Sequence, residues 1–460
     1  MTSARSRRFS GKRSVRSLQL TAVVGAVGAL TLAGCSSSSS TSAAGGGATQ
    51  SASGSATSGT IVWSASPIAG SGATDTRTVL INSFEKLYPN IHVTLVSAPT
   101  NTDTNRATLA TEISGGAATP DVFMGDVIWP AQFGAHQLAL PLSDLLPASY
   151  FAQFAPGLIA GATYKGKVYG SPLFEDQGFM YYRKDLLAKA GLAPPTTWEQ
   201  LESEAKTLLS KHLVKYGFVW QGASYEGLTC NFMEYLASAG GTATKSDYST
   251  ATLDSPAAIK AVTFMRSLVT SGVTPASITT FQESQAMNTF AAGNAAFLRN
   301  WDYAYSDATT PATGTLKTSQ VGVEPMPAFA GQPTPGFSNI GGWNMYINPH
   351  SKNVNLDLTF IKYLASQQAQ TILATKYSEI PTTTLVRGSA TVKALNPVLA
   401  IVGQTRLIPR PAGTPNYPAL STAIYTNVNS ALAGSTSPSA AMAAAESQAN
   451  TALSSTSGGL

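Results

Sequence analysis

Short apolar runs alternate with longer amphipathic segments near the start of the chain, and this alternation constrains the fold more than any other feature. Runs at 60–64, 91–95 and 121–124 have the length and composition of buried strands. Between them, apolar residues at 79–87 and 109–113 follow helical spacing. Strands that alternate with helices predict a parallel sheet covered by helices on both faces. We therefore expect an α/β fold.

The same alternation indicates where a ligand would bind. In open sheets of this kind, ligands lie beyond the carboxyl ends of the strands. Asp126 follows the strand predicted at 121–124, so we expect it at the rim of a binding site. Farther along the chain, Thr197 with Gln200 predicts a capping box, and Ser255 followed by Pro256 predicts a second helix start.

The length of the chain predicts two domains. Some 400 residues follow the N-terminal region, which is too many for one small core. No second long linker divides them. We therefore expect two lobes between which the chain crosses more than once.

The N-terminus has the pattern of an export signal. Six basic residues precede an apolar stretch at 18–32, and small residues then lead to Cys35. The order Leu-Ala-Gly-Cys at 32–35 resembles the lipobox of bacterial lipoproteins, in which the cysteine is acylated. An ordinary secretory signal with an incidental cysteine is the alternative. The stretch Ser-Arg-Arg-Phe at 6–9 resembles a twin-arginine export signal, so that export route stays open.

We accordingly expect 1–34 to be a lipoprotein signal peptide and 35–59 to be a flexible Ser/Gly-rich tether. Lipidation of Cys35 would hold the chain on the outer face of the cell membrane. Without the signal, the chain has 23 basic and 24 acidic residues, so no basic surface for nucleic acid is expected. Cys230 is then the only thiol, and the four histidines lack metal-ligand spacing. No metal or cofactor is predicted.

Four stretches, at 83–91, 169–198, 341–347 and 380–382, carry a family resemblance. They resemble the extracellular solute-binding proteins of carbohydrate ABC importers. The resemblance implies a two-lobed periplasmic-binding-protein-like fold, with a carbohydrate held in the cleft between lobes joined by several crossing segments. It implies the transmembrane permease subunits as partners, a monomer, and membrane contact through the lipid anchor alone. We assign 60–172 and 318–350 to lobe 1, and 173–317 and 351–460 to lobe 2.

Three motifs, at 125–130, 299–301 and 409–411, resemble the trehalose- and maltose-binding branch of that family. In that branch, matching residues contact the disaccharide, and here they are Asp126, Asp176, Trp301, Gly342, Trp343 and Arg410. Arg106, which matches a further arginine, and Tyr417, which follows the last motif, complete the predicted site. One departure is the serine and alanine stretch at 64–66, where many members carry an acidic or amide residue.

The chemistry of these residue types suits a sugar independently of the resemblance. A carboxylate accepts from two neighbouring hydroxyls, arginine offers a rigid fork of donors, and tryptophan provides a wide apolar surface. Asp176 lies in an otherwise apolar run at 173–182, where a lone charge is costly unless it is paired or functional. Its neighbour Glu175 should point the opposite way on a strand and have a structural role.

Two other functions remain as alternatives to a binding protein of an importer. A secreted glycoside hydrolase would need two carboxylates about 5–10 Å apart across a bond, which Asp126 and Asp176 could supply and adjacent residues could not. A solute-sensing lipoprotein would use the same fold. We expect no enzyme, and the sequence leaves open which sugar binds and whether calcium is present.

Overall fold

The structure of the protein is a computed structural model that describes residues 57–68, 75–311 and 313–455. The predicted signal peptide, Cys35 and nearly all of the tether lie outside these residues. Within the described part of the chain, no helix has the length and apolarity needed to cross a membrane.

The described residues form twelve strands and eighteen α-helices. Strands β1 to β12 are Gly59–Ala65, Ile91–Ser97, Val122–Asp126, Thr163–Tyr164, Lys167–Val168, Ser171–Gln177, Phe179–Arg183, Tyr216–Val219, Ala295–Asn300, Val321–Glu324, Phe337–Ile347 and Arg406–Ile408. Helices α1 to α18 are Thr76–Leu87, Thr102–Ser114, Pro130–Ala135, Ala148–Phe151, Pro156–Gly161, Lys184–Ala190, Trp198–Ser210, Glu226–Ser238, Pro256–Thr270, Glu283–Ala291, Ala304–Thr309, Val354–Leu364, Gln367–Tyr377, Thr384–Gly388, Ala390–Leu395, Pro397–Ile401, Tyr417–Ala433 and Pro438–Ser454. Three short 3-10 turns cover Leu142–Asp144, Ala276–Thr280 and Val402–Gln404.

The first sheet contains the three strands predicted from the apolar alternation. β1 pairs in parallel with both β2 and β3, and α1 and α2 connect them, so this prediction is confirmed. The sheet continues through β11, which runs antiparallel to β3 and to β6 and parallel to β12. β3 ends at Asp126, so this carboxylate lies at the carboxyl edge of the sheet.

The second sheet has the strand order β10-β7-β9-β8. β7 is antiparallel to both of its neighbours, and β8 is parallel to β9. Helices α7 and α10 pack against this sheet, and α8, α9 and α17 pack on one another. Both predicted helix starts in this region are confirmed: Thr197 and Gln200 form the capping box of α7, and Ser255 caps α9.

The chain passes from the first sheet to the second at Gly178, the one residue between β6 and β7. A Cβ at this position would lie 2.2 Å from Oε1 of Glu234 and 2.6 Å from a guanidinium nitrogen of Arg299. Only glycine therefore lets the backbone pass this buried ion pair. The chain returns to the first sheet between β10 and β11.

The packing differs from the predicted division of the chain in two places. β10, within 318–350, pairs with β7 of the second sheet rather than with the first sheet. Helices α12 and α13, within 351–460, bury their apolar residues in the same core as β1 and α1. An amphipathic helix shows which of its faces is buried but not which sheet covers that face, so the sequence did not resolve these boundaries.

A buried carboxyl pair beneath α12 leads to a prediction about stability. Ser351 Oγ lies 2.6 Å from Asp357 Oδ2 and 3.1 Å from Asp121 Oδ1. A hydroxyl has one hydrogen and cannot donate to both carboxylates. Burial, with a further contribution from the Asp121 charge, raises the pKa of Asp357 to about 7.

Because this pKa is higher in the folded than in the unfolded protein, Asp357 lowers the free energy of unfolding progressively as pH rises from about 4 to about 7. Asparagine does not ionise, so the free energy of unfolding of the variant Asp357→Asn does not fall for this reason as pH rises. We expect the stability of the variant relative to the natural chain to increase by roughly 1–3 kcal/mol between pH 5 and pH 8. Urea unfolding at pH 5 and pH 8 measures this stability difference. The control is Asp254→Asn, a substitution at an exposed aspartate. An equal stability difference at pH 5 and pH 8 would contradict the assignment.

Candidate functional site

A cavity of about 280 Å³ lies where the carboxyl edge of the first sheet faces β9, α8 and α10. Residues from distant parts of the chain line it: Ser66, Pro67, Ile68, Thr100, Thr102, Asp126, Phe174, Asp176, Tyr225, Glu226, Gly227, Cys230, Gln282, Glu283, Ser284, Trp301, Tyr303, Asp307, Gly341, Gly342, Trp343, Glu379 and Arg410. The cavity therefore lies between the two halves of the fold.

The structure brings six of the eight predicted site residues to this cavity. They are Asp126, Asp176, Trp301, Gly342, Trp343 and Arg410. They come from the end of β3, from β6, from the residue after β9, from β11 and from the segment between β12 and α17. Arg106 and Tyr417 are not among the lining residues.

The indole of Trp301 is held in place by two close neighbours. The guanidinium carbon of Arg299 lies 4.0 Å from the centre of the ring. Gly341 also lies against the indole, since a Cβ there would come within 3.1 Å of the Trp301 ring and of Asp176 Cβ. Only 8% of Trp301 is exposed. The ring is thus a rigid wall of the cavity, and a rigid wall loses little entropy when a ligand stacks on it.

Gly342 brings β11 close to β6. Its φ is +119°, and a Cβ would lie 2.6 Å from the carbonyl oxygen of Phe174. Both observations require glycine. The next residue, Trp343, is half-buried on the cavity wall, so the glycine allows the strand to present this indole beside Asp176.

Arg410 joins two carboxylates across the cavity. Its Nη2 donates to Asp126 Oδ1 at 2.7 Å and its Nη1 to Glu226 Oε1 at 2.9 Å. The Nη1 also lies 3.3 Å from Asp126 Oδ2, which in addition accepts from Thr102 Oγ1 at 3.2 Å. Asp126 belongs to the first sheet, whereas Glu226 begins α8, the helix that pairs with β9 of the second sheet through Glu234 and Arg299. Arg410 is therefore an ionic bridge between the two halves.

The carboxylate of Glu226 is held by hydrogen bonds from two side chains, one of which is Tyr417, a predicted site residue. Tyr417 donates from its hydroxyl to Glu226 Oε1, and Ser421 donates to Oε2 at 2.6 Å. Tyr417 contacts Glu226 and is not among the residues that line the cavity, so its contact with the ligand stays a prediction. Burial raises the pKa of Glu226 to about 7, although the neighbouring Arg410 acts in the opposite direction.

Arg106 is likewise not among the residues that line the cavity. Its Nη1 donates to Gln132 Oε1 at 3.3 Å, and it is close to Asp103. Asp103 Oδ2 in turn accepts the backbone N–H of Glu226 at 3.1 Å. Arg106 thus lies near this contact between α2 and α8, and its own contact with the ligand stays a prediction.

Asp176 belongs to a buried cluster of three carboxyl groups with Asp302 and Glu379. One oxygen from each lies within 4.8 Å of the others. Burial raises the pKa of Asp176 to about 7 and those of the other two well above their ordinary range. Glu175 points away from the cavity and pairs with Arg387 while it accepts from Gln177, as the strand alternation predicted.

Several lining residues were not predicted from the sequence. Glu379 directly precedes the recognised motif at 380–382, and Tyr303 follows Trp301 by two residues, so proximity to a motif was an available signal for both. Glu226 had no such signal. The Ser66 hydroxyl donates to the carbonyl oxygen of Pro99 at 2.7 Å, so the segment that departs from the family pattern still reaches the cavity.

Comparisons with known proteins agree with this architecture. The family described as bacterial extracellular solute-binding protein matches residues 70–371. A probable ABC transporter-binding protein of Deinococcus radiodurans is 34% identical over 367 residues, which cover 77% of this chain and 85% of that protein. A mannitol-binding protein of Pseudomonas aeruginosa is 31% identical over a shorter stretch, 34% of this chain and 36% of its own.

Solved structures show the same relationship. Maltose-bound MalE3 of T. maritima is 32% identical, has a TM-score of 0.78, and is matched over 85% of this chain and 99% of its own. The GacH receptor of Streptomyces glaucescens, solved without ligand and with acarbose, is 26% identical with a TM-score of 0.75 over 86% and 98%. The predicted two-lobed α/β fold is confirmed by these matches. The family consists of binding proteins, which also confirms that the chain is not an enzyme. The chain is a member of the bacterial extracellular solute-binding protein family.

Proposed function

We propose that this chain captures a sugar in the cavity between its lobes and delivers it to the permease of an ABC importer. The observation that carries the proposal is the shared cavity of Trp301, Trp343, Asp126, Asp176 and Arg410. Indoles stack on the C–H faces of a sugar, and ionised groups form the stronger hydrogen bonds to its hydroxyls. A cavity of about 280 Å³ is near the lower end of the usual range for small-molecule sites, roughly 300–1,000 Å³.

The ligands of similar proteins support a carbohydrate. The structures at 25% identity or above include one bound to maltose, one bound to tagatose and one in complex with acarbose. We propose a disaccharide such as trehalose or maltose, because six of the residues that match that branch of the family line one cavity.

The charge of the cavity favours a neutral ligand. Of the described lining residues, Arg410 is the only basic one, and six are acidic: Asp126, Asp176, Glu226, Glu283, Asp307 and Glu379. A sugar phosphate or a sugar acid would add the negative charge of the ligand to that of these carboxyl groups, and like charges in a buried site repel strongly. A neutral sugar donates hydroxyl hydrogens to them instead.

Ligand capture would follow a shift between open and closed arrangements. The sugar binds surfaces from both lobes, so its contacts are complete only when the lobes are together, and this difference drives closure. The Arg410 bridge from Asp126 to Glu226 belongs to the same closed arrangement. The closed protein then presents the outer surfaces of both lobes to the permease.

The proposal includes an anchored, extracytoplasmic protein. We propose that the signal at 1–34 is removed, that Cys35 is lipidated, and that the Ser/Gly-rich tether lets a monomer move between membrane and ligand. This arrangement keeps the binding protein near the permease without restricting closure of the lobes.

A substitution at Trp301 tests the proposed function. The full chain is first screened by thermal shift against disaccharides, monosaccharides and polyols to find the ligand. We expect Trp301→Ala to weaken that ligand by at least tenfold, which corresponds to about 1.4 kcal/mol, because a rigid stacking surface is removed. Isothermal titration calorimetry measures the affinity.

The control for this experiment is Tyr88→Ala, which removes an aromatic ring on the outer surface of the first lobe. It should leave the affinity unchanged. Equal ligand affinity in Trp301→Ala and the natural chain would refute the site, and a screen in which no sugar or polyol stabilises the protein would refute the sugar function.

A further inference from the structure

The carboxyl cluster of Asp176, Asp302 and Glu379 has a local charge that the protein does not balance. The three residues are 5%, 0% and 1% exposed, and one oxygen from each lies within 4.8 Å of the other two. Among the described residues, no lysine, arginine or histidine forms an ion pair with any of them. Three buried carboxylates without a positive charge would be very costly, so the cluster must be neutralised.

Unpartnered oxygens point to a ligand at this place. Both carboxylate oxygens of Glu379 and the Oδ1 of Asp176 are buried, and among the described residues no donor from outside the cluster reaches them. Asp302, by contrast, is oriented by two backbone donors: the N–H of Gln177 at 3.2 Å and the N–H of Ile380 at 3.1 Å. One carboxylate is thus held in a fixed position, while the oxygens of Glu379 and the Oδ1 of Asp176 have only the other carboxyl groups of the cluster as polar neighbours.

We propose that Asp176, Asp302 and Glu379 bind a hard cation of the Ca²⁺ type at one end of the cavity. Calcium takes oxygen ligands at about 2.3–2.6 Å, so two ligands on opposite sides of the ion lie up to roughly 5 Å apart. The spacing of the three oxygens meets that limit. The backbone donors to Asp302 act as outer-shell contacts that orient a ligand group.

The position of the cluster connects this cation with the proposed sugar site, and this second step rests on the proposed function. Asp176 and Glu379 line the cavity, whereas Asp302 lies behind them. A cation held by three protein oxygens has further coordination positions, and those on the cavity side are open to ligand oxygens. A pair of adjacent sugar hydroxyls can occupy them. The cation would thereby bind the sugar directly and also remove the repulsion among the three carboxylates.

Calcium binding is tested first without any sugar. The full chain is stripped with a chelator, dialysed into metal-free buffer and titrated with CaCl₂ in a calorimeter, with MgCl₂ in a parallel run. We expect saturable binding of about one Ca²⁺ per chain and a higher melting temperature in Ca²⁺, because a ligand that binds only the folded state stabilises it. Glu379→Gln and Asp302→Asn should each weaken Ca²⁺ binding at least tenfold, and the exposed control Asp254→Asn should not.

The outcomes separate this inference from the proposed function. If neither Ca²⁺ nor Mg²⁺ binds to the natural chain, the cation site is refuted whatever the variants do, and protons neutralise the cluster instead. Sugar binding in the chelator would then still support the proposed function. If Ca²⁺ binds and sugar affinity rises at least threefold in its presence, both steps are supported. Calcium binding with an unchanged sugar affinity supports the cation site and refutes its contact with the sugar.

Discussion

Replacement of Arg299 by leucine is expected to lower the free energy of unfolding by about 3–5 kcal/mol, because it leaves a buried carboxylate without its partner. Arg299 donates from Nε and Nη2 to the two oxygens of Glu234, at 2.9 and 2.6 Å, and both side chains are 1% exposed or less. Glu234 also accepts the backbone N–H of Asn339 at 3.0 Å. The pair therefore connects β9, α8 and the start of β11, next to the crossing at Gly178.

Urea unfolding of the natural chain, Arg299→Leu and the double variant Arg299→Leu/Glu234→Leu measures this effect. The double variant should be more stable than the single one, because replacing both partners removes the uncompensated charge. Lys206→Leu is the matched control at the exposed pair with Glu202, where we expect a change below about 1 kcal/mol. An Arg299→Leu midpoint close to that of Lys206→Leu would show that the buried pair does not hold the junction.

Replacement of Arg410 by glutamine is expected to weaken sugar binding by at least about thirtyfold. Removing one partner of a buried hydrogen-bonded charge pair costs about 2–5 kcal/mol, since the other charges remain buried. In this variant Asp126 and Glu226 would face each other across the cavity without the guanidinium between them. The repulsion opposes closure of the lobes, so affinity should fall even for a sugar that does not touch Arg410.

Calorimetry with the ligand found in the screen measures this effect, and circular dichroism confirms that the variant is folded. Arg410→Lys distinguishes charge from geometry. Lysine keeps the positive charge but cannot donate in parallel to two carboxylates, so we expect an affinity between those of the natural chain and Arg410→Gln. If Arg410→Gln binds the sugar as tightly as the natural chain does, the ionic bridge has no part in the closed state.

The Arg299–Glu234 pair and the Arg410 bridge are both buried, but they have different roles. The Arg299–Glu234 pair is fully enclosed and braces the junction between the sheets, and it also stacks against Trp301. The Arg410 bridge lines the cavity, where a ligand can exchange hydrogen bonds with it. A defect at the first site should therefore appear mainly as lost stability, and a defect at the second mainly as lost affinity.

Local patterns in the sequence were sufficient for the elements of the fold. The first three strands, the capping box of Thr197 with Gln200 and the start of α9 at Ser255 all occur where the sequence predicted them. Each depends on residues within one or two turns of each other, because apolar spacing and helix caps are local effects. The same reasoning separated Asp176 from Glu175, since neighbours on a strand face opposite sides.

The assignment of segments to one sheet or the other could not be obtained in this way. β10 and helices α12 and α13 have ordinary apolar patterns that fit either lobe, and only strand pairing and packing decided between them. Arg106 was predicted to reach the ligand because it matches a family position, and Tyr417 because it follows the last motif, yet neither is among the residues that line the cavity. A side chain one layer behind the site has the same sequence signature as one within it.

The sequence by itself determined the α/β class, the first strands and helices, the family resemblance and six residues that line the cavity, because all of these follow from short patterns. Only the tertiary structure decided which charges meet. Asp126 pairs with Arg410 across 284 positions, and Glu379 joins Asp176 and Asp302 from a different element. Such contacts form when the two sheets bring distant segments together, and no local spacing in the chain encodes that approach.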